Sequence, residues 1–280
     1  MRILKVLFVL SAFVGIASAD GTTIYNTIPS PLPPNVVSEP YEAVQSYEFG
    51  NLIGFAGTAR SLTDVVVAMS NWAYESNWPG VGTAAGFDVP LTLNLYNVGS
   101  NNSVGSLIAS DTVDALIPWR PEPDPTDCPT NAFMPYRANG QCYNGSLSTV
   151  TFDFTGTVVP NSIIYGLEFN TTDYGLSPTV VAGPYDSLNV ALSSTAPSVG
   201  SNPLPGAAYF ESITASQYGD GGAGGVGTFR LDPTGWAPYS GAIQFEAAVP
   251  EPDTTAYLSV YLLMGLGVAL VARRQIRRKA

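Results

Sequence analysis

The sequence contains no histidine, and this absence removes more chemistry than any other. Without an imidazole, Ser-His-Asp and Cys-His hydrolysis are excluded. So are histidine-ligated zinc, copper and non-haem iron, which leaves only oxygen-ligated sites of the calcium type. Positive charge is nearly missing from the body of the chain. Between Asp20 and Val249 there is no lysine, and Arg60, Arg120, Arg137 and Arg230 stand against 20 Asp and Glu, a net charge of −16. That balance repels phosphates, so no nucleic-acid partner is expected. The plainer role of such a surface is to keep an exported protein soluble. The EF-hand spacing is absent too. Asp220-Gly221-Gly222, inside the stretch from Gly219 to Gly227, reads as a glycine loop. No cofactor is expected, with calcium at that loop as the one open alternative. No Lys-Ser/Thr comes after it, so it does not cradle phosphate.

Both ends of the chain are built for a membrane. Arg2 and Lys5 precede an apolar run from Val6 to Ile16, and Ala17-Ser18-Ala19 comes next as a small-residue cleavage pattern. Residues 1–19 therefore read as a secretory signal peptide, cut by signal peptidase after Ala19. At the other end, residues 256–272 contain no charge and predict a membrane helix. At about 1.5 Å per residue they reach roughly 26 Å, just enough for a hydrocarbon core about 30 Å thick. Tyr257 and Tyr261 lie near its outer end, where amphipathic rings favour the interface. Arg273, Arg274, Arg277, Arg278 and Lys279 come directly after the span and predict a cytoplasmic tail, residues 273–280, by the positive-inside rule.

Immediately before the span stands Val249-Pro250-Glu251-Pro252. Pro-Glu-Pro, a minimal membrane span and an arginine-rich tail together resemble the C-terminal sorting signal of PEP-CTERM proteins, over Val249 to Ala280 only. The resemblance implies a Gram-negative bacterium that makes exopolysaccharide, and recognition by a membrane-embedded exosortase. It also implies processing near Pro250-Glu251-Pro252 and delivery to the cell surface or extracellular matrix. Those residues would be a substrate site. An ordinary single-pass anchor with an accidental Pro-Glu-Pro linker is the competing reading.

In an exported chain, Cys128 and Cys142 are expected to form a disulfide. Closing a loop of about 15 residues contributes on the order of 3 kcal/mol, and it would hold the Pro-, Asn- and Asp-rich segment from Pro118 to Gly145.

The body reads as strands. Period-two or apolar runs occur at Val44 to Phe49, Val65 to Ser70, Leu91 to Val98, Ser106 to Ile117, Thr149 to Phe154, Ile163 to Phe169, Ser187 to Leu192, Gly227 to Leu231 and Ala242 to Ala247. Turn formers fill the gaps, and no long helical pattern interrupts them. The expectation is an all-β chain: residues 41–248 as a single β-sandwich with jelly-roll connections, residues 20–40 as an extended lead-in, and residues 249–280 as the sorting signal.

Trp72, Tyr74 and Trp78 lie within seven residues that also hold Asn71, Glu75 and Asn77. Rings of this kind stack on a sugar while the polar groups bind its hydroxyls; packing into the core is the competing role. Trp119 and Trp236 are weaker candidates. Asp153, Glu168, Glu211 and Glu246 are polar positions on alternating strands, and a glycosidase pair would need two such carboxylates about 5 to 9.5 Å apart. The sequence supports two functions. One is a non-enzymatic surface or matrix protein that binds polysaccharide or another exported protein, or acts as a structural element; the alternative is a secreted carbohydrate-active enzyme using paired carboxylates.

Overall fold

Val150 and Phe152 are buried while Thr151 and Asp153 are exposed, the alternation expected of a strand with one wet face. The same logic runs through the whole body. The computed structural model describes residues 21–169 and 183–249. The signal peptide expected at 1–19, the span expected at 256–272, Pro250, Glu251, Pro252 and the basic tail at 273–280 lie outside the described residues. Among the described residues there is no α-helix, and no helix is long and apolar enough to cross a membrane.

In chain order the strands are β1 (Gly21–Asn26), β2 (Ser38–Pro40), β3 (Ser46–Gly50), β4 (Leu52–Gly54), β5 (Ser61–Asn71) and β6 (Phe87–Val98). Next come β7 (Val104–Ile117), β8 (Tyr136–Ala138), β9 (Gln141–Tyr143), β10 (Ser146–Asp153) and β11 (Ser162–Phe169). Last are β12 (Leu188–Ser193), β13 (Ala208–Ser212), β14 (Arg230–Asp232), β15 (Ser240–Gly241) and β16 (Ile243–Ala248). One sheet runs β1-β16-β5-β12-β15, with β10 on β5 and β2 on β12. The other runs β14-β13-β3-β11-β6-β7, with β4 on β11. All the strand pairings are antiparallel. Val65, Val67, Phe152 and Phe245 of the first sheet share one core with Phe49, Leu91, Leu93 and Leu167 of the second, so the sheets bury their inner faces against each other as a sandwich does. Tyr165 and Phe245 meet across that seam at 6.1 Å.

Each expected strand overlaps an observed one, and the lead-in differs in one respect. The stretch is extended, as its prolines require, but its backbone is hydrogen-bonded into the fold. β1 pairs with β16, Ile28 and Val36 pack on Ala68, Ala191 and Ala242 outside the first sheet, and Pro34 O accepts from Leu147 N at 2.9 Å. The compact unit accordingly runs from Gly21 to Ala248. Its two ends meet: Ala248 of β16 lies opposite Gly21 of β1 and Ser61 of β5. At the other end of β5, Asn71 lies opposite Ser146 and Leu188.

Cys128 and Cys142 form a disulfide, with their Cα atoms 5.7 Å apart. Inside its loop β8 and β9 make a hairpin about Asn139-Gly140. Both turn residues have positive φ, 49° and 78°, as a two-residue hairpin turn demands.

Candidate functional site

β5 ends at Asn71, and the path of the chain beyond it is shaped by that side chain. Asn71 is fully buried. Its Oδ1 accepts from Ala73 N at 2.9 Å and its Nδ2 donates to Pro118 O at 2.8 Å, which turns the chain out of the sheet and ties it to the segment after β7. Trp72 N donates to Ser187 O at 3.0 Å, and Trp72 Nε1 donates to Ser70 Oγ at 3.1 Å. The exit therefore holds Trp72, Tyr74 and Trp78 in fixed places. All three line one cavity of about 250 Å³, together with Asn77, Arg120, Phe133 and Met134. Glu75 is exposed and does not line it. The sequence-predicted aromatic trio is thus brought together, with each ring only partly buried.

Sequence reasoning missed two parts of this site. Arg120 is buried, with 2% exposure, and its guanidinium lies 4.6 Å from the Tyr74 ring centroid. Phe133 and Met134 arrive from inside the disulfide loop, where Phe133 meets Trp72 edge-on at 5.3 Å. The disulfide bracketing a Pro-rich segment was the available signal; what it supports is one wall of the cavity. Reducing Cys128–Cys142 is expected to cost on the order of 3 kcal/mol of stability. It should also weaken any ligand held at Phe133, and both effects are checked by urea unfolding and by titration with and without reductant.

The other tryptophans are structural. Trp236 packs on Phe49 and Phe210 and donates from Nε1 to Asp232 Oδ2 at 2.7 Å, while Trp119 packs on Phe87 and donates to Thr83 O at 2.7 Å. A larger cavity of about 610 Å³, lined by residues such as Ser194, Thr195, Pro197, Asn202 and Pro238, has no aromatic or charged side chain in its lining and so nothing to stack on a ring or meet a charge.

The acidic residues are arranged otherwise. On the outer face of the second sheet Glu211 of β13, Glu48 of β3 and Glu168 of β11 lie side by side in register. Glu48 is a further residue that sequence reasoning missed, although Tyr47 and Phe49 flank it in the strand pattern. Its Oε1 accepts from Asn94 Nδ2 at 3.1 Å and from Tyr96 OH at 3.0 Å. The side chain lies over Gly166, where an added Cβ would run into Glu48 Oε1, Cδ and Cγ and displace them. Burial pushes the Glu48 carboxyl up to about 7, helped by the charges of Glu168 and Glu211 and opposed by its two hydrogen bonds. Glu246 accepts from Thr23 Oγ1 and Gln244 Nε2, both at 2.6 Å, and Asp153 is exposed at the end of β10. In the Gly219 to Gly227 loop, Asp220 is paired with Arg230 at 3.0 Å and also accepts from Gly222 N and Gly224 N. Asp232 accepts from Gly219 N and Asp220 N. These carboxylates are engaged by the protein's own donors, and among the described residues no group of three or more acidic or cysteine side chains is placed to hold a metal ion.

From the last residue of β16 onward, residues 248–279 match the family model described as the PEP-CTERM protein-sorting motif. The chain carries a PEP-CTERM sorting signal. That signal marks it for export and for exosortase-mediated sorting to the cell surface, with exosortase as its processing partner. The PEP-CTERM match reaches the sandwich only at Ala248, the last residue of β16, and no curated protein and no solved structure matches this chain.

Proposed function

We propose that the protein is a non-enzymatic binding component of the bacterial surface or extracellular matrix. Its sandwich holds one unit of a polysaccharide in the cavity at the end of β5. In this itinerary signal peptidase removes residues 1–19, residues 256–272 hold the chain in the inner membrane with its C-terminus cytoplasmic, and exosortase acts near Pro250-Glu251-Pro252. The observation that carries the binding reading is the cavity itself. Three amphipathic rings, an amide and a guanidinium converge around about 250 Å³, below the range of about 300–1,000 Å³ common for drug-sized ligands and suited to a single ring. The carboxylates that an enzyme would use line the outer face of the second sheet, stand on β16 of the first sheet or lie at the end of β10, and the cavity lining contains none.

A glycan array probed with the extracted full chain tests this reading, alongside a hydrolysis screen of the glycans that bind. Binding without turnover is the expected outcome. Trp78→Ala is expected to weaken it about tenfold, the order of one well-placed aromatic contact. Hydrolysis that a single Glu→Gln change abolishes would establish the enzyme instead.

A further inference from the structure

We propose that the saccharide unit taken by this cavity is acidic, a uronate whose carboxylate is met by the buried guanidinium of Arg120; the proposal rests on the saccharide reading above. Arg120 is the most deeply buried of the four arginines in the body. Its Nε donates to Trp72 O at 2.7 Å, Nη1 to Pro121 O at 3.1 Å, and Nη2 to Phe133 O at 3.2 Å and Met134 O at 2.7 Å. These are main-chain carbonyls, which satisfy hydrogen bonds but carry no compensating charge. The Tyr74 and Tyr136 rings, 4.6 and 5.9 Å from the guanidinium carbon, add only partial negative charge. Among the described residues the ion pairs are Arg137–Asp127 and Arg230–Asp220, and neither involves Arg120. Glu122, two residues away, turns its oxygens to Ser76 N at 3.0 Å and Ser76 Oγ at 2.6 Å, so it supports the guanidinium through its charge at a distance and not as an ion pair.

Burying a cation without a direct ion pair is costly. Desolvation accordingly holds the Arg120 pKa below its ordinary value. Five guanidinium N–H groups with four carbonyl acceptors leave one Nη1 hydrogen for a ligand oxygen. A carboxylate entering the cavity therefore gains a charge-assisted hydrogen bond and relieves the unpaired cation, whereas a neutral hydroxymethyl group gains only an ordinary hydrogen bond. The surrounding charge of −16 repels long polyanions at a distance, so the preference belongs to short oligomers and to the single unit inside the cavity.

The test uses the full chain in a sugar-free detergent. It is titrated with short oligomers of galacturonate, mannuronate and glucuronate, each beside its carboxyl-reduced counterpart in which the carboxylate has become a hydroxymethyl group. At neutral pH at least one acidic oligomer is expected to bind about tenfold or more tighter than its reduced form. The ratio should persist at about 0.3 M salt, because a buried contact is little screened. Arg120→Gln, if it folds, should bring that ratio close to one; if it does not fold, the ratio measured on the unaltered chain decides. Equal or tighter binding of every reduced form overturns the acidic-unit proposal and leaves the saccharide reading standing. Failure of every glycan, acidic or neutral, to bind overturns both.

Discussion

Replacing Pro250, Glu251 and Pro252 with alanine is expected to leave the protein in the membrane fraction, while the unaltered chain is recovered outside the cell without its apolar segment. The two prolines each lack an N–H and fix φ near −65°, so this stretch of sequence cannot extend a ladder or enter a helix. It comes directly after β16, an internal strand hydrogen-bonded on both edges through Ala247 and Ala248. By sequence, prolines at that junction favour an extended backbone, the form in which a membrane protease would take the tripeptide. Alanines restore two donors and remove the recognised side chains together. Immunoblots of medium and membrane fractions, with the mass of the released form, measure the outcome. Unchanged release would mean that the chain is cut elsewhere and that the tripeptide is an ordinary linker.

Stability is expected to fall as pH rises from about 4.5 to about 7. In that window folded Glu48, pushed up to about 7, still holds the proton that an unfolded glutamate with a pKa of 4.5 has released. The folded state then binds more protons than the unfolded one, and the slope of unfolding free energy with pH is negative. Across the shift this amounts to about 3 kcal/mol lost by neutral pH, with the profile flat above it. Glu39, raised to about 7 by burial, and Glu211, raised by burial and by Glu168, add to the same slope. Asp153 and Asp220, held below the ordinary carboxylate range by their hydrogen bonds, act oppositely and only in more acid solution. Urea midpoints should therefore be highest at roughly pH 4 to 5. Glu48→Gln keeps an acceptor oxygen for Asn94 and Tyr96 without the charge. It should raise the midpoint at about pH 8 and flatten the profile, and a slope between about pH 4.5 and 7 left unchanged by the substitution would show that Glu48 ionises as an exposed glutamate does.

The sandwich was legible because its long strands state their pattern locally. Ile163, Tyr165, Leu167 and Phe169 all point into the core, while Glu168 lies on the outer face beside Glu48. The segments that escaped have weaker local text. β13 carries only Tyr209 and Phe210 between proline-rich and polar stretches, and β1 has its alternation blurred by a register shift that buries Ile24 and Tyr25 together. The hairpin at Asn139-Gly140 did have a local signature, masked by its proline-rich surroundings. In the cavity, the Trp72, Tyr74 and Trp78 cluster was visible because it is contiguous. Arg120 and Phe133 were not, because Asn71 and the disulfide bring them in from 48 and 61 residues beyond Trp72, and no periodicity encodes such a meeting.

β5 works as a ruler. The strand beside which the polypeptide leaves the sandwich begins at Ser61, and the aromatic cavity opens just past its far end at Asn71, about 33 Å away at the usual rise of a strand. The point of departure and the cavity thus stand a full strand length apart along β5, so a contact confined to the first does not reach the second.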